Sequence, residues 1–377
     1  MTPVQTPPDL RALTTLRFLA ALWVVLFTAW PHLDIGFVPV AVTRGYLGVE
    51  VFFVLSGFIL SHVYLEAAGR RDGFSYRGFL WARIARVYPL HLVTLAGMIG
   101  LGVAATVAGL TVSESLLDWR SLPAHLSLTH AWGLASSAAF NHPSWSISAE
   151  WFAYLTFPAF AWAAWRMRER PVIGAAATAI GAVALYAAFE PVAGFSLTEA
   201  TFLWGALRIV PCFALGCALY LIHRRAPVRH AGLIALICGA GLLLCASLAL
   251  WDPLVVLFAG GLILGLGGLD NGRAGVFASR AGVYLGEISY SIYMVCAPVL
   301  LLGVNVAARL TGADDKKLHI LVWLAVLAAI PAAAALPYHL VERPARKALR
   351  GLAARRNPAP GPANSPERVL QPSETIV

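Results

Sequence analysis

Charge is what this sequence has least of. Across 377 residues only 12% are Asp, Glu, Lys or Arg, and 59% are hydrophobic. A soluble domain carries about a quarter charged residues, so the composition excludes one and requires a polytopic membrane protein; the mean hydropathy of +0.72 agrees. Acids are scarcer than bases, 19 against 28, for a net charge of +9. The bases cluster between apolar runs, so they locate membrane ends and do not point to a nucleic-acid partner. The five cysteines, Cys212, Cys217, Cys238, Cys245 and Cys296, all fall inside apolar runs with neither metal nor disulfide spacing. No metal is expected. A cleavable leader is not expected either, because the first apolar run is too long and lacks a small-residue cleavage site. An internal repeat is also missing, which weighs against an inverted-repeat transporter.

What is there is a series of apolar runs long enough to cross a bilayer. A 19-residue window places ten spans near 12–30, 45–65, 88–110, 151–167, 172–189, 203–222, 231–250, 253–269, 286–307 and 318–341. The pair around Trp251-Asp252-Pro253 also reads as a re-entrant hairpin. With the N-terminus inside, 22 of the 28 basic residues lie on the cytoplasmic side. The fold class is therefore an all-α polytopic membrane protein of about ten transmembrane helices with both termini cytoplasmic. Residues 1–10 form a short leading segment, 11–350 the membrane domain, and 351–377 a Pro-rich tail expected to be disordered. The polar stretch 111–150 is too long for a turn and is expected to fold over the outer face as part of a site.

Three clusters carry candidate chemistry, the first of them shared by spans one and two. In TTLRFLAALWVVLFTAWP, Arg17 and Thr28 stand eleven residues apart and share a helical face. In GYLGVEVFFVLSGFILSH, Glu50 needs a partner or a wet cavity, because an unpaired ionised carboxylate in hydrocarbon costs several kcal/mol. Ser56-Gly57 in the same run reads equally as site or as close helix packing. In FLWARIARVYPLH, Arg83 and Arg86 stand three apart on one helical face at the cytoplasmic mouth of span three, before Pro89. Their planar forks suit phosphate; anchoring to anionic lipid is the commoner explanation for a single loop arginine, and the pair at helical spacing favours a ligand. In NHPSWSISAEWFAYLTFP, Ser146 and Glu150 are i, i+4 neighbours able to act on one substrate. Trp145 and Trp151 also read as interfacial belt residues.

These clusters, in this order, resemble the acyltransferase 3 family of bacterial integral membrane acyltransferases. GEISYSIYMVCAPVL (286–300) and LPYHLVERPARK (336–347) are similar to that family's last two blocks. The resemblance covers roughly residues 10–350. It implies a multi-pass protein of the bacterial inner membrane that moves an acyl group, often acetyl, from cytoplasmic acyl-CoA. The acceptor would be a hydroxyl on a surface carbohydrate, glycolipid or small molecule such as a macrolide. By the same resemblance Arg17 opens the family's Arg-x10-His motif, Glu50 is its early acid, and Arg83 and Arg86 are its arginine pair. Ser146 and Glu150 are its Ser-x-x-x-Glu, Tyr290 and Ser291 its late block, and Glu342 and Arg343 its terminal Glu-Arg-Pro.

Two family histidines are replaced, by Thr28 and Cys296. Threonine cannot act as a base near neutral pH, whereas histidine can. The base would then be His32, His91, Glu50 or Glu150. Cys296 as a nucleophile lacks an activating partner, and an inert buried thiol is the simpler reading. The alternatives to an enzyme are a family member that binds acyl-CoA or glycolipid without turnover, and a transporter for a lipid-linked sugar. Charges concentrated in spans one to four suit a fixed site better than a pathway.

Overall fold

Apolar runs with no water to satisfy their backbone must close their own hydrogen bonds, and helices do so within one segment. The computed structural model describes residues 10–356, except 71–72, 111–113, 136, 138, 226–227 and 314. Among the described residues it contains helices and no sheet; two isolated bridges, Leu33 with Leu318 and Thr201 with Trp204, are the extended pairings found. The principal helices are α1 (Arg11–Ala29), α2 (Gly48–Arg70), α3 (Tyr76–Val107), α4 (Trp145–Arg166), α5 (Pro171–Ala193) and α6 (Gly205–Arg225). They continue with α7 (Ala231–Ser247), α8 (Asp252–Gly267), α9 (Ser289–Thr311), α10 (Ile320–Pro337) and α11 (Arg343–Arg356).

Each of the ten apolar stretches forms a helix. Among the described residues, seven helical segments are long and apolar enough to cross a membrane, those containing α1, α2, α3, α5, α6, α9 and α10. Helices α7 and α8 are shorter, 17 and 16 residues, and pack on one another. Helix α3 departs from expectation at its start. It runs 32 residues from Tyr76, with Pro89 inside it, so Arg83 and Arg86 are helical residues, in line with their spacing, although they precede the expected span boundary at 88. Arg77, Arg83 and Arg86 lower the averaged hydropathy there, which is why the expected boundary falls at 88. Helix α11 runs on to Arg356, past the expected start of the tail at 351. Residues 1–9 of the leading segment and 357–377 of the tail lie outside the described residues.

The core is built on a crossing of α2 and α6. A Cβ at Gly57 would meet the Phe213 carbonyl, and one at Gly216 would meet the Val54 carbonyl, so each backbone lies in contact with the other at a glycine. This assigns Gly57 to packing. At the ends of α1 and α2 away from most of the arginines, Arg44 donates to Asp252 (2.6 Å). Tyr46 (2.9 Å) and Thr198 (2.5 Å) donate to the same carboxylate. The Arg44 guanidinium is held above its ordinary range by Tyr46 and Asp252, which outweigh its partial burial. The described residues of 114–144 fold as short helical turns beside α3 and α4. Ser148 accepts from the Ala131 backbone (2.9 Å) and donates to Leu128 (2.8 Å), while Asn141 reaches the Met294 carbonyl (2.9 Å).

Candidate active site

A cavity of about 100 Å³ opens between α1, α2, α3, α4 and α9. Arg17, Arg83, Arg86, Ser146 and Glu150 line it, and Ser56 and Tyr290 join them. Five of the seven candidate residues therefore meet in one place. The helical period brings them together: Ser146, Glu150 and Tyr154 recur every four residues on α4, so one face of that helix forms a wall. Glu150 accepts a hydrogen bond from Ser56 Oγ at 2.7 Å, which fixes the carboxylate across the α2–α4 interface. Ser56 thus belongs to the cavity while its neighbour Gly57 belongs to the crossing. The Ser146 hydroxyl donates to the Pro143 carbonyl (3.1 Å), at the start of α4.

Arg83 is 3% exposed yet stands among aromatic rings in place of acids. Its guanidinium carbon lies 5.5 Å from the Tyr64 ring centre, 5.9 Å from Phe79 and 6.0 Å from Tyr154. It donates to the Tyr64 hydroxyl at 3.3 Å, and its Nε has no hydrogen-bond partner. Among the described residues, no carboxylate lies within ion-pair distance of Arg17, Arg83 or Arg86. Three guanidinium groups facing one cavity without an acid in contact make a strongly anion-seeking site.

Two candidates lie elsewhere. Glu50 is fully buried and forms a two-pronged ion pair with Arg208 of α6, at 2.5 and 3.0 Å. Arg208 in turn lies 4.6 Å from the Trp145 ring centre, so Trp145 is a buried platform and not a belt residue. The signal for this pair was an arginine inside span six that required an acid. Thr28 is exposed at the far end of α1, its hydroxyl donating to the Val24 carbonyl one turn back (2.9 Å), and it does not line the cavity. Cys296 is a buried free thiol. The late blocks meet where Ser291 donates to Glu342 (2.9 Å), and Tyr290 reaches α3 by donating to the Val87 carbonyl (2.6 Å).

A stack of imidazoles went unread in the sequence. His91 turns away from the arginine pair and bonds the His125 carbonyl through Nε2 (2.9 Å). The His125 and His130 rings stack 4.1 Å apart, His91 and His130 at 6.0 Å. His130 Nε2 lies 3.1 Å from the Ser144 hydroxyl. Burial, followed by the neighbouring His125 and His91, pushes His130 down to about 3, and burial lowers His125 and His142 as well. Among the described residues no three His, Cys, Asp or Glu side chains form a set able to hold a metal.

Comparison with known proteins places this geometry in context. The model of an acyltransferase domain matches residues 10–342, nearly the whole chain. An acyltransferase of Streptomyces mycarofaciens, MdmB, is 35% identical over 210 residues, 51% of this chain and 50% of that protein. Protein 2 in the picA locus of Rhizobium radiobacter is 38% identical over 92 residues, 24% of this chain and 46% of that protein. The chain spans about half the length of these curated relatives. No solved structure matches it.

Proposed function

This chain belongs to the acyltransferase 3 family, and from that premise we propose that it moves an acyl group, acetyl in the first instance, from cytoplasmic acyl-CoA to a hydroxyl of a surface carbohydrate, glycolipid or small molecule. The observation that carries the reading is the convergence of Arg17, Arg83, Arg86, Ser146 and Glu150 on one cavity. The protein is a ten-span membrane protein of the bacterial inner membrane with both termini cytoplasmic, a reading supported by the 22 basic residues that fall on one side. The arginine-bearing end of the cavity then faces the cytoplasm and receives the donor. Ser146 and Glu150 approach from the opposite face, where the acceptor enters.

In this scheme Glu150, oriented by Ser56, takes the proton of the acceptor hydroxyl, filling the role that the residue at Thr28 cannot. The hydroxyl oxygen attacks the thioester carbonyl carbon. A C–O bond forms, and negative charge gathers on the carbonyl oxygen beside Arg17. Collapse breaks the C–S bond, the ester leaves with the acceptor, and the departing thiolate recovers a proton from Glu150. Arg83 and Arg86 hold donor phosphates through charge-assisted hydrogen bonds.

The test is transfer of isotope-labelled acetyl from acetyl-CoA by the purified protein in lipid nanodiscs, offered a macrolide and a lipid-linked sugar, with ester formation read by mass spectrometry. Ester formation supports the reading. Acetyl-CoA binding without ester in any arm would favour a second reading, a donor-binding protein without turnover, which Thr28 motivates. Absence of acetyl-CoA binding overturns both.

A further inference from the structure

A second cavity, of about 630 Å³, opens between the end of α2, the start of α3 and the last turns of α4. It shares no lining residue with the cavity of Arg17 and Glu150. On α4, Pro158, Trp162 and Arg166 recur every four residues, so one helical face forms its wall. Over about 12 Å of helix that wall passes from apolar through aromatic to cationic. The other side is closed by packing at a glycine, since a Cβ at Gly69 of α2 would meet the Trp165 ring. Tyr76, at the start of α3, donates to the Leu155 carbonyl at 2.7 Å and holds α3 to α4 across the groove.

The charge at the rim is of one sign. Among the described residues that line the groove there is no Asp or Glu. Glu66, close by, is taken by Arg70 and Arg224, and Glu169 pairs with Arg168 at 3.3 Å. Arg166 has no acid within ion-pair distance among the described residues. Its guanidinium carbon lies 4.5 Å from the centre of the Trp162 ring, which is 54% exposed. A cation therefore already covers that aromatic face, and the exposed guanidinium keeps its N–H groups for an anion.

We propose that this groove is a binding site for one anionic phospholipid, with the phosphate between Arg166 and Arg168, the glycerol against Trp162 and an acyl chain along Pro158 and Ala68. The order of groups along the wall is the order of groups along such a lipid. A choline headgroup fits poorly, because the ring face that would attract its quaternary ammonium is occupied by Arg166. The proposal does not depend on which group the chain transfers.

Native mass spectrometry of the full chain in detergent tests this, with dioleoyl phosphatidylglycerol, dioleoyl phosphatidylcholine and soluble glycerol phosphate as probes. The unaltered protein should retain phosphatidylglycerol in preference to phosphatidylcholine and should not retain glycerol phosphate. R166Q should raise the Kd for phosphatidylglycerol about fivefold at low salt. R168Q should raise it less, because Glu169 already meets part of that charge. A68W fills the groove without altering its charge and should remove one bound phosphatidylglycerol. R229Q/R280Q removes two exposed arginines that do not line the groove and should change nothing. An unchanged thermal unfolding midpoint establishes that each variant is folded. Phosphatidylglycerol retention that survives both R166Q/R168Q and A68W overturns the proposal. Retention lost in R166Q/R168Q but kept in A68W also overturns it, since the arginines would then attract only the surrounding bilayer. Equal retention of phosphatidylcholine, or binding of glycerol phosphate as tight as that of the lipid, overturns the assignment to an anionic phospholipid.

Discussion

Two glutamates, the buried Glu50 on α2 and the half-buried Glu150 on α4, share one helical bundle and have opposite surroundings. Glu50 is closed off, both oxygens taken by Arg208 and no surface left to solvent. Glu150 faces a cavity, held through one oxygen by a serine hydroxyl, with three guanidinium groups on the cavity walls and none in contact. A carboxylate whose charge is fully matched stabilises a fold and offers nothing to a ligand. One held by a neutral donor keeps a lone pair for chemistry. The arginines divide in the same way: Arg208 has its acid, whereas Arg83 has aromatic faces and an unused donor.

Breaking the closed pair should have the largest effect. Glu50→Ala leaves the Arg208 charge buried and uncompensated, and should destabilise the protein by about 3–5 kcal/mol. Thermal unfolding in detergent reads this, and Glu50→Gln combined with Arg208→Met should recover much of that stability. Glu150→Gln should do the reverse. Unfolding should move by less than about 1 kcal/mol, while acetyl transfer falls by roughly 10²–10⁴-fold. Should both glutamates give the same pattern, the distinction between them disappears.

The histidine stack supplies a third and smaller effect. His130 stays neutral in the fold down to about pH 3, whereas in the unfolded chain it takes up a proton below about 6.5. Stability should hold above that pH and fall as pH drops from about 6.5 toward 3, by at most ~1.4 kcal/mol per unit for this group. His130→Gln should flatten the slope in unfolding measured between pH 7.5 and 5. The smallest effect belongs to Thr28→His. Its exposed side chain is turned to its own helix, so turnover should stay within about twofold. Restored or greatly raised activity would move the catalytic centre to the far end of α1.

Much of this was legible in the sequence, because hydropathy and period three-to-four spacing are local properties. They located the helices and put Ser146 with Glu150 and Arg83 with Arg86. The requirement that a buried acid be paired also anticipated that Glu50 needs a partner. Local pattern could not supply the partner itself, Arg208, 158 residues away. It misplaced the start of α3, because Arg77, Arg83 and Arg86 within the helix lower mean hydropathy as a loop does. Thr28 shares Arg17's angular position, but three turns separate them along the axis, and the cavity lies at one end only. The stacked histidines come from separate segments, and nothing in their spacing announces that the rings meet.

The reciprocal glycines at the α2–α6 crossing have a mechanical consequence. With each backbone seated against the other, sliding by a single residue would drive a Cβ into a carbonyl at Val54 or Phe213. The two helices therefore move as one rigid beam, and Ser56, one residue from the crossing, moves with it. Helix α3 is tied instead to α11 through the Trp81–Leu349 hydrogen bond, so the wall that carries Arg83 and Arg86 hangs on a partner outside the beam.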